Sequence, residues 1–202
     1  MVQAVSKTIS FLEFVNSYPE YKSQELHHGV VVEMAQPSGK HKNVTGFLVG
    51  EITFEFKQLK QPYFIASKVL VKLSDGESAY LSDILVLNKP NLVNEPLYDK
   101  YSTVTQAASI PLVIEVVSSN WSDDYALKFE EYSNIGIPEY WIVDYLGLGG
   151  KEFIGYPKQP TITVCNLAAN IYRRNIFRNS DRIHSQIFPN LNLIAQQIFD
   201  SA

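Results

Sequence analysis

The chain has 202 residues, 46% hydrophobic and 19% charged, a composition that excludes wholesale disorder and leaves enough chain for a substantial core. Its 17 Lys and Arg against 21 Asp and Glu give a net charge of −4, which excludes a general electrostatic pull towards nucleic acid, so such a partner has to be held by a local basic face. One cysteine, Cys165, excludes an intrachain disulfide and a cysteine-rich zinc site.

The opening segment MVQAVSKTISFLEF lacks a long apolar stretch followed by a cleavage site, and no segment approaches a membrane span, so the expected compartment is the cytoplasm. Ser10 is placed to cap a short helix from Phe11 to Tyr18, stopped by Pro19. Tyr21 to Met34 reads as a hairpin, with one strand to His27, a turn at His28-Gly29 and a second strand from Val30. After the break at Pro37-Ser38-Gly39, Val44, Phe47, Leu48, Ile52 and Phe56 recur at helical spacing between Lys40 and about Leu59.

Tyr63 to Leu73 and Leu81 to Leu87 read as two strands joined around Asp75-Gly76, and Asn88 to Ser109 as a long irregular connection. Pro111 to Tyr145 is a strand–helix–strand unit: Leu112-Val113-Ile114, a polar turn, an amphipathic helix, then Tyr140-Trp141-Ile142-Val143. Gly147-Leu148-Gly149-Gly150 marks a turn, short antiparallel strands follow (one holding Cys165 as a small buried hydrophobe), and a last helix runs from Leu191 to Phe199. The pattern is α/β with a mixed sheet, and no linker or repeat divides residues 1–202.

Two acids stand out because they interrupt apolar runs. Glu115 sits inside Leu112-Val113-Ile114-Glu115-Val116-Val117, and Asp83 inside Leu81-Ser82-Asp83-Ile84-Leu85-Val86-Leu87. A carboxylate in a buried strand is unfavourable without a cation or strong donors. Either acid alone reads as a strand-end cap or the partner of a nearby Arg or Lys. Together they read as half of a Mg²⁺ site, since that ion takes one or two carboxylates plus waters, and the carbonyl beside Glu115 offers a further oxygen.

On the following helix Asp124, Lys128 and Tyr132 share one face. Lys128 either looks back at Glu115, to hold a water or offset developing charge, or forms an ordinary surface pair with Asp124. Glu33 and His41 flank the loop AQPSGK; each lines a cleft, as an acid and as a phosphate or water contact, or is simply a solvated or structural residue. Arg173, Arg174, Arg178 and Arg182 concentrate positive charge near the C-terminus, either to neutralise phosphates or as the solvated face of a hairpin. No Gly-Lys phosphate loop, GxGxxG, HExxH or GxSxG is present, which excludes the commonest nucleotide-binding, zinc-protease and serine-hydrolase readings.

The segments HHGVVVEM, His41, SDILVL, VIEVVSS, DYALKFEEYSNIGIPEYWIVD and SQIFPNLNL together resemble the Uma-type family of the PD-(D/E)XK nuclease superfamily. That resemblance implies a restriction-endonuclease-like core, Asp83 and Glu115 as metal-binding acids, and Glu33 as a further active-site acid. Ser82 stands where the superfamily motif has proline, and Val117 where it has lysine; Lys128, on the next helix, matches the family's displaced lysine. The implied activity is a Mg²⁺-dependent (or Mn²⁺-dependent) DNA endonuclease that leaves a 5′-phosphate and works as a homodimer. On this reading His41, Arg173 and Arg174 contact DNA. The rival readings are a nuclease fold kept as a binding or regulatory module without cleavage, supported by Val117 and the acidic net charge, and a metal-dependent hydrolase of another substrate.

Overall fold

Ser10 caps the first helix through both halves of a capping box. Its hydroxyl accepts from the Glu13 N–H, and its own N–H donates to the Glu13 carboxylate at 2.8 Å. The computed structural model describes residues 8–19 and 21–202; the first seven residues, part of the opening segment read as leaderless, lie outside them.

Helix α1 (Phe11–Asn16) stops two residues short of expectation, where the Ser17 hydroxyl donates to the Glu13 carbonyl at 2.7 Å. Strands β1 (Gln24–His27) and β2 (Val30–Glu33) form the expected hairpin. Its two turn residues, His28 and Gly29, have φ of 48° and 80°, the paired positive values that match the twist of a two-residue hairpin. Helix α2 (Gly39–Gln58) is capped by the Ser38 side chain and buries Val44, Leu48, Ile52 and Phe56.

The two strands expected between residues 63 and 87 are four: β3 (Tyr63–Ala66), β4 (Leu70–Lys72), β5 (Ala79–Leu81) and β6 (Ile84–Asn88). Each expected strand is bent into two because the chain changes sheets twice, at Lys68 with φ 57° and at Ser82-Asp83. The connection after β6 holds α3 (Tyr98–Tyr101) and β7 (Thr103–Val104). Buried Glu95 pins it by accepting from the Thr105 and Gln106 N–H groups and the Thr105 hydroxyl.

Then follow β8 (Leu112–Val116), a π-helical turn at Asp123–Leu127, α4 (Lys128–Ile135) and β9 (Glu139–Asp144). β9 lies parallel to β8, as the strand–helix–strand pattern requires. The chain ends with α5 (Lys151–Ile154), β10 (Thr161–Ala168), β11 (Ile171–Phe177) and α6 (Ala195–Asp200). The last helix starts later than expected because Leu191 and Leu193 are buried from an extended segment, whose Leu193 carbonyl accepts from Ile183 N at 2.8 Å.

The fold is α/β, with two mixed sheets flanked by helices. The smaller has the order β2-β1-β5-β4-β7, the larger β11-β10-β9-β8-β6-β3. The inner strands of the larger, β6, β8, β9 and β10, are buried on both faces, which explains their near-continuous apolar runs. Ile114, Val116, Trp141 and Val143 face Val44, Leu48 and Ile52 of α2, while Val113, Val117, Tyr140 and Ile142 join Tyr132 of α4 and Val71 and Tyr80 of the smaller sheet. Glu115 therefore projects, by alternation, into the layer between the larger sheet and the α4 side. Among the described residues no helix is long and apolar enough to cross a membrane.

Leu48 is fully buried in the α2 layer. Leu48→Ala is expected to cost about 2–5 kcal/mol of stability, read from urea unfolding; a loss under about 1 kcal/mol would show that this layer does not hold α2 to the sheet.

Candidate active site

The sheet register brings the two acids together. β6 and β8 pair antiparallel with Ile84 opposite Ile114, so one step further along that register Asp83 stands opposite Glu115. The Asp83 N–H donates to Glu115 Oε2 at 3.3 Å, and the Val116 N–H to Asp83 Oδ2 at 2.9 Å. Each acid is thus held by the backbone of the other's strand.

Lys128 points inward. Its Nζ lies 3.0 Å from Glu115 Oε1, 3.3 Å from Glu25 Oε1 and 3.9 Å from Asp124 Oδ1, and it donates to the Leu81 carbonyl at 3.4 Å. The Tyr132 hydroxyl donates to the same Glu115 oxygen at 3.3 Å. Asp124, Lys128 and Tyr132 are all buried, so the helical face they share looks at Glu115. The π turn just before Lys128 widens the helix at this point, a distortion that recurs at functional sites.

His41, in the first turn of α2, ties the two acid-bearing strands from the opposite side. Its Nε2 is 2.9 Å from the Val116 carbonyl and 3.2 Å from Asp83 Oδ2. Burial disfavours the charged ring, but Asp83 and the Val116 carbonyl outweigh it and raise the His41 pKa.

Glu25 enters from the smaller sheet, and its pattern gave no warning. It is 1% exposed, accepts from the Leu81 N–H at 3.0 Å and meets His27 Nε2 at 2.8 Å. The sequence pointed instead to Glu33. That acid lies at the end of β2, a strand on the sheet's edge, where it pairs with Lys22 at 2.9 Å, both side chains 57% exposed. The structure does not bring Glu33 into the cluster, because β1 and not β2 lies inside the sheet. Nor does it bring in Arg173 and Arg174, which lie on β11 at the edge of the larger sheet, with β10 and β9 between them and β8.

Three carboxyl groups, Glu115, Glu25 and Asp124, surround one ammonium here, and their protonation reflects it. Burial raises Glu115 well above the usual carboxylate range despite Lys128, with Asp124, Asp83 and Glu25 adding to the rise. Asp124 is pushed up to about 7 for the same reasons. Glu25, although burial opposes it, is lowered by Lys128 and His27. Lys128 is buried too, yet Glu115 and Glu25 outweigh that and raise it, so it stays charged. The cluster holds more acid than one lysine offsets, a deficit that a divalent cation would relieve.

Among the described residues no group of three His, Cys, Asp or Glu side chains is arranged to hold a metal. Two carboxylates and the Val116 carbonyl fit the smaller demand of Mg²⁺, which keeps several waters. Asp83, with a side chain 22% exposed, is the most open of the acids.

Residues 11–196 match the family model Uma2, described as "Putative restriction endonuclease". The chain belongs to this family. Its nuclease character accords with two apposed acids and a buried lysine. A crystal structure of a putative nuclease belonging to DUF820 from Anabaena variabilis ATCC 29413 superposes with a TM-score of 0.72 over 96% of this chain and 98% of that one, at 17% identity. At that identity the likeness is one of fold. No curated protein matches the chain.

Proposed function

We propose that the protein is a Mg²⁺-dependent DNA endonuclease, with Mn²⁺ as a substitute ion, acting in the cytoplasm as a homodimer with one site for each strand. The observation that carries this reading is Lys128. With Val117 unable to hold charge, an ammonium from the next helix lies 3.0 Å from Glu115 beside Asp83. Family membership supports the nuclease class.

Asp83, Glu115 and the Val116 carbonyl would hold the ion. When bound, Mg²⁺ polarises the scissile phosphate and lowers the pKa of an attacking water. Lys128 supplies fixed positive charge for the phosphorane-like transition state or orients that water. Glu25 and the Leu81 carbonyl fix the lysine's position. His41 keeps Asp83 and the Val116 carbonyl level across the two strands. Glu25 replaces Glu33 as the further acid, and Arg173 and Arg174 are left as contacts to phosphates away from the reaction.

A binding module without cleavage is favoured by one feature: Glu115 Oε1 is already shared by Lys128 and Tyr132. Incubating supercoiled plasmid with the protein separates the two. Nicked and linear DNA should appear with Mg²⁺ or Mn²⁺ and not with EDTA; plasmid bound but intact under all three conditions would favour the module.

A further inference from the structure

Helix α4 also packs on a second side. Lys128 faces Glu115, but its chain neighbour Phe129 faces away, under the guanidinium of Arg174, whose Cζ lies 3.9 Å from the ring centroid. The same Arg174 lies 5.3 Å from Phe153. Phe153 meets Trp121 edge-on at 6.2 Å, and Lys158 Nζ is 5.9 Å from the Trp121 ring. The result is a strip of two cations and three aromatic rings in the order Lys158, Trp121, Phe153, Arg174, Phe129.

Neither Arg174 nor Lys158 has a carboxylate partner within ion-pair distance among the described residues. On a chain of net charge −4, two such cations seated on aromatic rings suit an anionic ligand that also has flat faces. The three rings are only partly buried, while Arg174 and Lys158 are exposed. Trp121 opens the helical segment that follows the Glu115 strand and stands just ahead of Asp124, so the strip borders the acid cluster along the chain.

The geometry points to a binding strip for unpaired nucleotides, in which a base stacks on Trp121 while Arg174 and Lys158 meet the phosphates; Phe153, stacked on Tyr125 at 5.0 Å, and Phe129 serve as the seats of Arg174. Stacking platforms with interleaved cations bind single strands because every base has a π-face, whereas a duplex hides those faces. This rests on the nuclease reading and deepens it: the DNA held on this side, away from the scissile bond, would be unpaired.

Tryptophan emission tests the strip directly. The chain has two tryptophans; Trp141 is fully buried and donates to Glu139 at 2.7 Å, so a ligand-induced change reports Trp121. Titration with oligodeoxythymidylate in EDTA should quench the emission in a saturable way. With a labelled oligonucleotide, Trp121→Ala and Arg174→Ala should each weaken binding about tenfold, the scale of one lost stacking partner, and a duplex of equal length should bind at least about tenfold more weakly than the single strand. Emission that does not respond, an exposed Arg174→Ala variant that binds like wild type, or a duplex bound as tightly would each overturn the strip. Because EDTA removes any need for cleavage, a protein that binds this way yet leaves plasmid intact with Mg²⁺ would sink the endonuclease reading alone. One that cuts plasmid while its binding ignores Trp121 and Arg174 would sink the strip alone.

Discussion

Glu115→Gln is expected to abolish metal-dependent cleavage while the chain remains folded. The amide keeps the shape of a side chain that is 3% exposed; its oxygen can still accept from Lys128 and Tyr132, and only the long 3.3 Å bond from the Asp83 N–H to the second oxygen is lost. It loses the charge that attracts a divalent cation. The fold has reason to tolerate the change: burial already raises the Glu115 pKa, so the native state resists this charge. A loss of at least about three orders of magnitude in plasmid cleavage, with an unchanged circular dichroism spectrum, is the expected result, on the scale of removing one preorganised electrostatic group. Cleavage at the wild-type rate would make Glu115 a structural residue.

Lys128→Ala is expected to lower cleavage by about two to three orders of magnitude and also to destabilise the protein. Removing it leaves Glu115, Glu25 and Asp124 buried together without the ammonium they share at 3.0, 3.3 and 3.9 Å. Breaking a buried ion pair from one side costs about 3–5 kcal/mol. The loss should depend on pH in a definite direction. Without the cation these carboxyl groups have folded pKa values raised above their unfolded ones, since burial and mutual repulsion, which already hold Glu115 and Asp124 up, are no longer opposed. Groups of that kind bind more protons folded than unfolded, so their support is present below the unfolded carboxylate range and is lost as pH rises through the folded values. Urea unfolding should therefore find the variant closest to wild type near pH 5 and weakest near pH 8. Equal deficits at both values would mean that Lys128 does not neutralise the cluster. Lys128→Met, which keeps the apolar stem, should fall as far in cleavage, separating charge from packing.

What could be read from the chain follows from which interactions are local. The Ser10 cap, the His28-Gly29 hairpin and the α2 stripe of Val44, Leu48, Ile52 and Phe56 depend on neighbours within a few residues, and all three elements form. Asp83 and Glu115 could be picked out because an acid in an apolar run is conspicuous wherever the strand ends up. The four-strand arrangement between residues 63 and 88 could not, because nothing local says that β4 and β5 leave the larger sheet for the smaller. Nothing local singles out Glu25 either. Both acids lie on the same hairpin, with Glu33 opposite Gln24 and Glu25 opposite Val32. Only the pairing of β1 with β5, far along the chain, puts Glu25 inside. The inward aim of Lys128 was open for a similar reason, since helical spacing fixes which residues share a face but not what that face meets.

Binding of Mn²⁺ to the protein alone tests most directly whether Asp83 and Glu115 form a cation site, by calorimetric titration of wild type beside Asp83→Asn. Asp83 is the most open acid of the cluster, and its Oδ2 is held by the Val116 N–H at 2.9 Å and by His41 at 3.2 Å, contacts to which the amide adapts by turning its oxygen inward. The account requires one saturable site per chain in wild type, weakened at least about tenfold in Asp83→Asn, the scale of losing one charged ligand. Equal binding by both proteins, or no saturable binding by either, would contradict it.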